Sequence, residues 1–252
     1  MRIISLVPSA TETLLALGRT PVACTRFCEQ PGIDTVGGTK DPDIDRIARL
    51  EPDLVVVNDE ENRFDDVDRL RRLGVAVHEM SPRSVAEVGP AVAALAGAVG
   101  ADPPAPFGRA EWAGWLGARR RERDGRPRRT FVAVWRRPWM TLSGDTYGSS
   151  LLELLGCSNV FASGAPAGPP GSAGAVRYPT IELADAAART PDLVLLPTEP
   201  YPFKERHVAE VAAGVPGAAV EIVDGQDLFW WGIRTPGAVE RLAGTLSGSR
   251  HR

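Results

Sequence analysis

The sequence predicts an α/β fold: two Rossmann-like lobes with parallel sheets, joined by a long backbone helix. Three observations predict it. Short, wholly apolar runs alternate with helical patterns, one stretch of chain is a rough copy of another, and an alanine-rich helical segment separates the copies. The chain has 252 residues, with 43% hydrophobic and 24% charged side chains and a formal net charge of -3. That length suits two lobes of ordinary size. The near-neutral balance excludes a chain that holds nucleic acid through a strong positive field. Aliphatic residues recur throughout, which excludes disorder, and no run approaches the ~20 apolar residues of a membrane helix.

The repeat is read from two segments. Pro52-Asp53-Leu54-Val55-Val56-Val57-Asn58-Asp59-Glu60 matches Pro191-Asp192-Leu193-Val194-Leu195-Leu196-Pro197-Thr198-Glu199. Each has turn chemistry before an apolar run and polar residues after it, as a strand buried on both faces requires. Helical patterns precede both, through Ile44, Ile47 and Leu50 in one copy and Ile181, Leu183 and Ala187 in the other. A second apolar run follows each, at Val75 to Val77 and Ala219 to Val223. Upstream, Arg2 to Val7 reads as a strand, followed by a helix in which Ser9 and Glu12 have capping-box spacing and Gly18 suits the C-terminal left-handed position. Thr130 to Trp135 and Thr146 to Leu155, closed by Gly156, repeat that pattern. Right-handed parallel crossovers follow.

Residues 1–83 are expected to form the first lobe, 84–127 a helical spine and 128–252 the second lobe. Within the spine, Ser84 to Val99 and Phe107 to Arg123 read as helices, broken by three prolines between Ala101 and Pro106. The basic run Arg119, Arg120, Arg121 and Arg123 suits a solvated helix end, with an anion patch as the alternative. Ala162 to Ala175 reads as a mobile surface loop and Ser247 to Arg252 as a frayed tail.

Compact catalytic signatures are missing. There is no GxGxxG after a strand, no GxxxxGK[ST] and no GxSxG. His251 sits in the tail, and His78 and His207 have no partners at ligand spacing and are expected in structural or surface roles. Cys24, Cys28 and Cys157 are an odd set, read as reduced thiols with one or more of them buried; the alternative, Cys24-x3-Cys28 as two soft metal ligands, lacks a second pair. Met1-Arg2 leads straight into the first strand, so the chain reads as cytoplasmic, or as periplasmic if its start is truncated.

Ligands of open parallel sheets bind beyond the carboxyl ends of the strands. Those ends carry Ser9, Cys28, Lys40, Asn58 and Glu61 in the first half, and Trp139, Asp145, Tyr201, Phe203, Lys204, Trp230 and Trp231 in the second. Aromatics are only 6% of the chain, yet Trp135, Trp139, Tyr201, Phe203, Trp230 and Trp231 gather there, which suits a flat, partly apolar ligand. Packing of the core is the alternative reading of the tryptophans. Glu60 and Glu199 hold equivalent positions in the two copies. They face a two-fold-symmetric partner, bind ligand or cap helices, and the sequence leaves these readings open.

The motifs together resemble a known family. Arg2-Ile3-Ile4-Ser5-Leu6-Val7-Pro8-Ser9-Ala10-Thr11-Glu12, Val36-Gly37-Gly38-Thr39 and Pro52-Asp53-Leu54-Val55 are similar to the BtuF-like cobalamin-binding proteins, of the class III periplasmic-binding fold. Thr25-Arg26-Phe27-Cys28, Pro138-Trp139-Met140, Gly144-Asp145-Thr146, Arg177-Tyr178-Pro179 and Glu199 to Lys204 resemble the subgroup of helical-backbone metal receptors. The resemblance implies a non-catalytic, monomeric solute receptor, not membrane-embedded and without nucleic acid, holding one ligand between its lobes. The ligand implied is a metal chelate, foremost cobalamin or another corrinoid, with no tightly bound cofactor besides. It also implies an ABC permease dimer that meets one acidic residue per lobe, for which Glu60 and Glu199 are the candidates. Two features depart from the subgroup: Glu29-Gln30-Pro31 stands where relatives carry a histidine, and Trp230-Trp231-Gly232 replaces a Trp-Tyr-Gly pattern. A cytoplasmic carrier or sensor, or an enzyme using Cys28 with Lys40, Glu60 and Glu61, is the alternative.

Overall fold

The computed structural model describes residues 1–121, 125–163 and 176–248. Arg123, most of the loop expected over Ala162 to Ala175, and the end of the tail with His251 lie outside the described residues. The chain divides into two compact units. The first comprises Met1–Pro82, Ala86–Leu116 and Trp231–Thr235, and the second Arg83–Val85, Gly117–Trp230 and Pro236–Arg252.

In the first unit the elements run β1 (Ile3–Ser5), α1 (Pro8–Ala16), β2 (Ala23–Cys24), a 3-10 turn (Arg26–Cys28), β3 (Asp34–Thr35), α2 (Ile44–Arg49), β4 (Leu54–Val57), α3 (Phe64–Arg72) and β5 (Val77–Glu79). Next along the chain come α4 (Val85–Ala98) and α5 (Arg109–Arg121), separate helices on either side of the three prolines, and the division between the units falls after Val85 and after Leu116 within α5. The sheet has the order β3-β2-β1-β4-β5, every pair parallel. All four β4 residues are buried, and Ile4, Val55, Val57, Ile47 and Leu70 lie in one apolar cluster.

The second unit runs β6 (Arg128–Val132), β7 (Trp139–Met140), α6 (Tyr147–Leu154), β8 (Cys157–Asn159), β9 (Thr180–Ile181), α7 (Leu183–Ala188), β10 (Leu193–Pro197), a 3-10 turn (Glu205–His207), α8 (Val208–Gly214), β11 (Ala219–Val223), α9 (Gly225–Phe229) and α10 (Thr235–Gly248). Its parallel sheet has the order β11-β10-β6-β8, and β7 pairs with β9 as an antiparallel ribbon. The two- and three-residue strands β2, β3, β7, β8 and β9 were not expected from the sequence.

The repeat holds down to single bonds. Glu51 and Thr190 both have left-handed backbone, at φ 46° and 45°. Beyond the following prolines, Asp53 accepts the Arg2 amide on its carboxylate at 2.6 Å and returns its own amide to the Arg2 carbonyl at 2.8 Å. Asp192 does the same with Arg129, at 2.8 and 2.7 Å. Each arginine then reaches the end of the preceding helix, Arg2 to the Leu50 carbonyl and Arg129 to the Arg189 and Thr190 carbonyls. The registers match: Ile3 pairs with Leu54, and Thr130 with Leu193.

Helix ends are partly as expected. Gly18 and Gly156 are left-handed at φ 68° and 74°, and the Thr146 hydroxyl accepts the Ser149 amide as the cap of α6. The Ser9–Glu12 capping box does not form. Val7 is the N-cap and Pro8 opens the helix, because a proline's fixed φ and missing N–H suit its first turn. Ser9 is thereby drawn into the helix, and Glu12 instead pairs with Arg234. The strand expected at Val75 to Val77 lies two residues later, since Val75 closes the turn that ends α3 by donating to the Leu70 carbonyl.

Because the two clasps are equivalent, Asp53→Ala and Asp192→Ala are expected to destabilise their units by similar amounts, about 0.5–1.5 kcal/mol for the lost amide acceptor. Urea unfolding of each variant checks this. An unchanged midpoint for either would remove the clasp from the account of register.

Candidate ligand-binding site

The carboxyl ends of the two sheets are built from different chemistry. In the first unit, two asparagines knot the strand exits together. The Asn58 side-chain oxygen accepts the Glu60 and Glu61 amides at 2.7 and 3.0 Å, while its amide group donates to the Met80 carbonyl at 3.1 Å. Four residues on, the Asn62 oxygen accepts the Asn58 amide at 2.8 Å, and its own amide group donates to the Leu6 and Thr39 carbonyls at 3.2 and 3.0 Å. Exits of β1, β4 and the Gly37–Lys40 loop thus share one buried side chain. The Lys40 ammonium donates to the Glu60 carbonyl, joining the loop to the same turn. Asn62 carries as much of this arrangement as Asn58 but was not singled out; the Asn58-x3-Asn62 spacing was its only signal.

Cys28 sits on the turn after β2. Its sulfur lies 3.1 Å from the Thr11 hydroxyl of α1 and 3.2 Å from the Thr25 hydroxyl. The neighbouring Cys24 thiol donates to it as well, and this bond, ahead of those from Thr11 and Thr25, holds the Cys28 thiol down to about 6. Cys24 is pushed up by the same bond and by burial. In the second unit, Asp145 pairs with Arg83 at 3.2 Å. Beside α3, a pocket of about 230 Å³ lined by Val57, Phe64, Val67 and Arg71 is too small for a drug-sized ligand.

The second unit brings its aromatics together. The exposed Trp135 meets Tyr201 edge-on at 5.5 Å, Tyr201 meets Phe203 at 4.7 Å, and Phe203 stacks on Trp139 at 6.1 Å and 9°. The loop bearing Trp135 folds back on itself through Met140, and Arg136 fixes it by a bidentate bond to Glu210 at 2.9 and 3.0 Å. His207, expected to have a structural or surface role, belongs to this cluster. It is 5% exposed, with ring centroids 5.6 Å from both Tyr201 and Phe203.

The Nδ1 atom of His207 accepts the Lys204 amide at 2.9 Å. The Arg206 Nε–H is aimed at Nε2 from 3.3 Å, and because a neutral ring has a single acceptor nitrogen the two donors compete for it. Burial first, then the charges of Arg206, Arg136 and Lys204, lower its pKa, with Glu210 opposing. No fold-independent sequence signal marks such a histidine.

Several residues expected to touch ligand are instead buried. Ser9, Cys28, Asn58 and Phe203 are each 2% exposed and Trp231 is 4% exposed. Asn58 is consumed by its turn, and Phe203 belongs to the core cluster with Phe131, Phe161 and Val211. Lys40, Asp145 and Lys204 are exposed, and Glu60, Glu61, Trp139, Glu199, Tyr201 and Trp230 are half-buried. The enzyme alternative loses its geometry: Lys40 is bound to a backbone carbonyl and Cys28 is enclosed by two hydroxyls.

Two expected outcomes follow from this geometry. Asn58→Ala leaves the Glu60 and Glu61 amides without their acceptor and is expected to cost about 1–3 kcal/mol, read by urea unfolding. A loss below the error of the measurement would show that water replaces the side chain. His207 has a native pKa below its ordinary 6.5. Its contribution is therefore complete above that value and lost as pH falls through the lowered native one. The melting temperature should drop on acidification, and His207→Gln should flatten the drop; His78, lowered by burial, adds a slope of the same sign. Equal drops in wild type and variant would refute the role of His207.

Comparisons with known proteins agree with this architecture. The family model described as periplasmic binding protein matches residues 3–209. A vitamin B12-binding protein of Yersinia pestis (strain Pestoides F) is 27% identical over 203 residues, 77% of this chain and 69% of that protein. One from Yersinia pseudotuberculosis serotype O:3 (strain YPIII) is 30% identical over 169 residues, 64% of this chain and 60% of that protein. Among solved structures, the periplasmic vitamin B12 binding protein BtuF of Vibrio cholerae has a TM-score of 0.78 at 21% identity, covering 100% of this chain and 98% of that one. The periplasmic heme binding protein HutB of Vibrio cholerae has a TM-score of 0.76 at 20% identity, covering 98% of each. Identities this low carry the fold and leave the ligand open. The matched proteins are binding proteins and not enzymes. Among the described residues, no helix is long and apolar enough to cross a membrane. With its family model matched over most of its length, the chain belongs to the periplasmic binding protein family.

Proposed function

We propose that this chain captures a metal chelate outside the cytoplasmic membrane and delivers it to an ABC permease, and that the chelate is cobalamin or another corrinoid. The observation that carries the proposal is the aromatic cluster of Trp135, Tyr201 and Trp139 beyond the strand ends of the second unit, backed by the buried Phe203 and His207. Aromatic faces suit a broad, flat macrocycle, which offers each ring a large apolar contact. A corrinoid brings its own metal, so the protein need supply only walls and peripheral hydrogen bonds. The vitamin B12-binding relatives lend this reading support, and the heme-binding structures make heme the competing cargo.

In this reading Trp135, Trp139, Tyr201 and Trp230 contact the macrocycle. Lys40, Glu61, Asp145 and Lys204 meet its polar periphery. Ser9, Cys28, Asn58, Phe203 and Trp231 act from behind by holding the loops. Glu60 and Glu199, at equivalent strand exits, are the residues offered to the two halves of the permease. This replaces the cytoplasmic carrier or sensor as the functional reading.

The test is a thermal-shift and calorimetric titration with cyanocobalamin, beside heme and a ferric siderophore. Cyanocobalamin is expected to give a saturable rise in melting temperature, ~2.7 kcal/mol of stability at a hundredfold excess over Kd. Trp135→Ala and Trp139→Ala should weaken binding at least about tenfold, ~1.4 kcal/mol each. Saturation by heme alone would reassign the cargo, and no response to any chelate would end the proposal.

A further inference from the structure

Among the rings of the aromatic cluster, only the imidazole of His207 belongs to a side-chain type that takes up a proton in the mildly acidic range. Both of its nitrogens face donors. The Lys204 amide lies 2.9 Å from Nδ1, and the Arg206 Nε lies 3.3 Å from Nε2. A neutral ring offers one lone pair to these two, and the closer donor, the Lys204 amide, holds it. A protonated ring offers none. We propose, on the reading of this wall as the chelate site, that His207 is a positioning residue that holds the wall only while its ring is neutral, so that a proton on His207 and a chelate on the wall exclude each other.

The bond at Nδ1 closes the loop that carries the wall. The His207 amide donates to the Lys204 carbonyl at 2.8 Å, and the Lys204 amide donates back to the His207 ring. Protonation removes the second of these bonds and leaves N–H facing N–H at the point where the chain leaves Phe203. The ring also stands edge-on against both Tyr201 and Phe203, with centroids 5.6 Å away and planes at 62° and 87°. A shift of the ring that relieves the donor clash therefore moves the support of both. Tyr201 meets Trp135 at 5.5 Å, and Phe203 stacks on Trp139 at 6.1 Å. One proton thus reaches every ring of the wall.

The surroundings of the ring resist that proton. His207 is 5% exposed. The cations facing it are Arg206 on its own turn, Lys204 just before the turn and Arg136 from the loop after β6. Glu210 of α8 is the acid facing it, and its two oxygens are engaged by Arg136 at 2.9 and 3.0 Å. Tyr201 approaches with its ring, and Glu205 on the same turn is exposed. Among the described residues no carboxylate bonds to either ring nitrogen. The native pKa accordingly lies below the ordinary 6.5. Affinity for the chelate is then complete above that native value and lost as pH falls through it. Because one proton is taken up, the loss approaches about tenfold per pH unit.

The test measures the Kd of cyanocobalamin, and of heme beside it, by quenching of tryptophan fluorescence on the full chain from neutral pH down to about pH 5. Circular dichroism at every step confirms that the chain stays folded. The chelate that binds at neutral pH is expected to weaken on acidification, by up to about tenfold per unit. His207→Gln, whatever its affinity at neutral pH, should lose this slope. Arg206→Gln removes a cation from beside Nε2, raises the ring's pKa and should move the onset of release to higher pH. His78→Gln, a change in the first unit, should keep the wild-type profile. Tight binding with a flat profile, or an unchanged slope in His207→Gln, would overturn the proposal and leave the chelate reading standing. Failure of both chelates at neutral pH would end that reading and the release of cargo with it. Nitrogen NMR of the imidazoles in the ligand-free wild-type chain decides separately, and does so even if a variant fails to fold. Nδ1 of His207 is expected without a proton at neutral pH and with one after acidification; a proton on Nδ1 at neutral pH would overturn the positioning role.

Discussion

The carboxyl end of each sheet depends on the register of one interior strand, β4 in the first and β10 in the second, and hydrophobic patterning does not set that register. A strand with one wet face is pinned by alternation, because slipping by one residue would turn its apolar side chains to water. β4 and β10 are buried along their whole length. A slip in either would exchange one apolar residue for another. The Arg–Asp clasps supply what the pattern lacks: Asp53 and Asp192 each exchange two bonds with the backbone of the neighbouring strand's entry. The left-handed residue and proline ahead of each aspartate aim it at that neighbour.

From this shared footing the two units diverge at their exits. The exit of β4 is closed by side-chain amides, Asn58 and Asn62, whose donors and acceptors are spent on backbone groups. The exit of β10 leads to aromatic rings instead, with Tyr201 and Phe203 in a loop tied by the Lys204 amide to His207. One scaffold thus carries a polar knot and an apolar wall. Fold similarity alone therefore leaves the ligand open, because the chemistry lies in these exits and not in the strands.

The same division explains what was legible in the sequence. The repeat could be read because it rests on local signals, a proline-aspartate turn and an uninterrupted apolar run. Gly18 and Gly156 were legible for the same reason, since the left-handed position favours glycine whatever surrounds it. The five short strands were not, because two or three residues carry no periodicity and pair only when a neighbour is already placed. Pro8 displaced Ser9 as the start of α1 by a rule that was available but outweighed by the capping-box spacing. The fate of Phe203 and His207 was out of reach. Nothing local says that Phe203 turns into the core while Tyr201, two residues earlier, stays half-buried.

The arrangement of that loop also bears on how tightly a flat ligand can be held. Binding loses free energy to the ordering of side chains, about 0.5–1.5 kcal/mol for each one immobilised. Here the ordering is already done. Phe203 supports Tyr201 and Trp139 from the core, and His207 packs edge-on against Tyr201 and Phe203 while its Nδ1 bond fixes the backbone at Lys204. The Arg136–Glu210 pair fixes the loop that carries Trp135. If the proposed flat ligand binds here, Phe203 would act on it through rigidity and not through contact, together with His207, and a substitution at either should act on affinity through the freedom it returns to Tyr201.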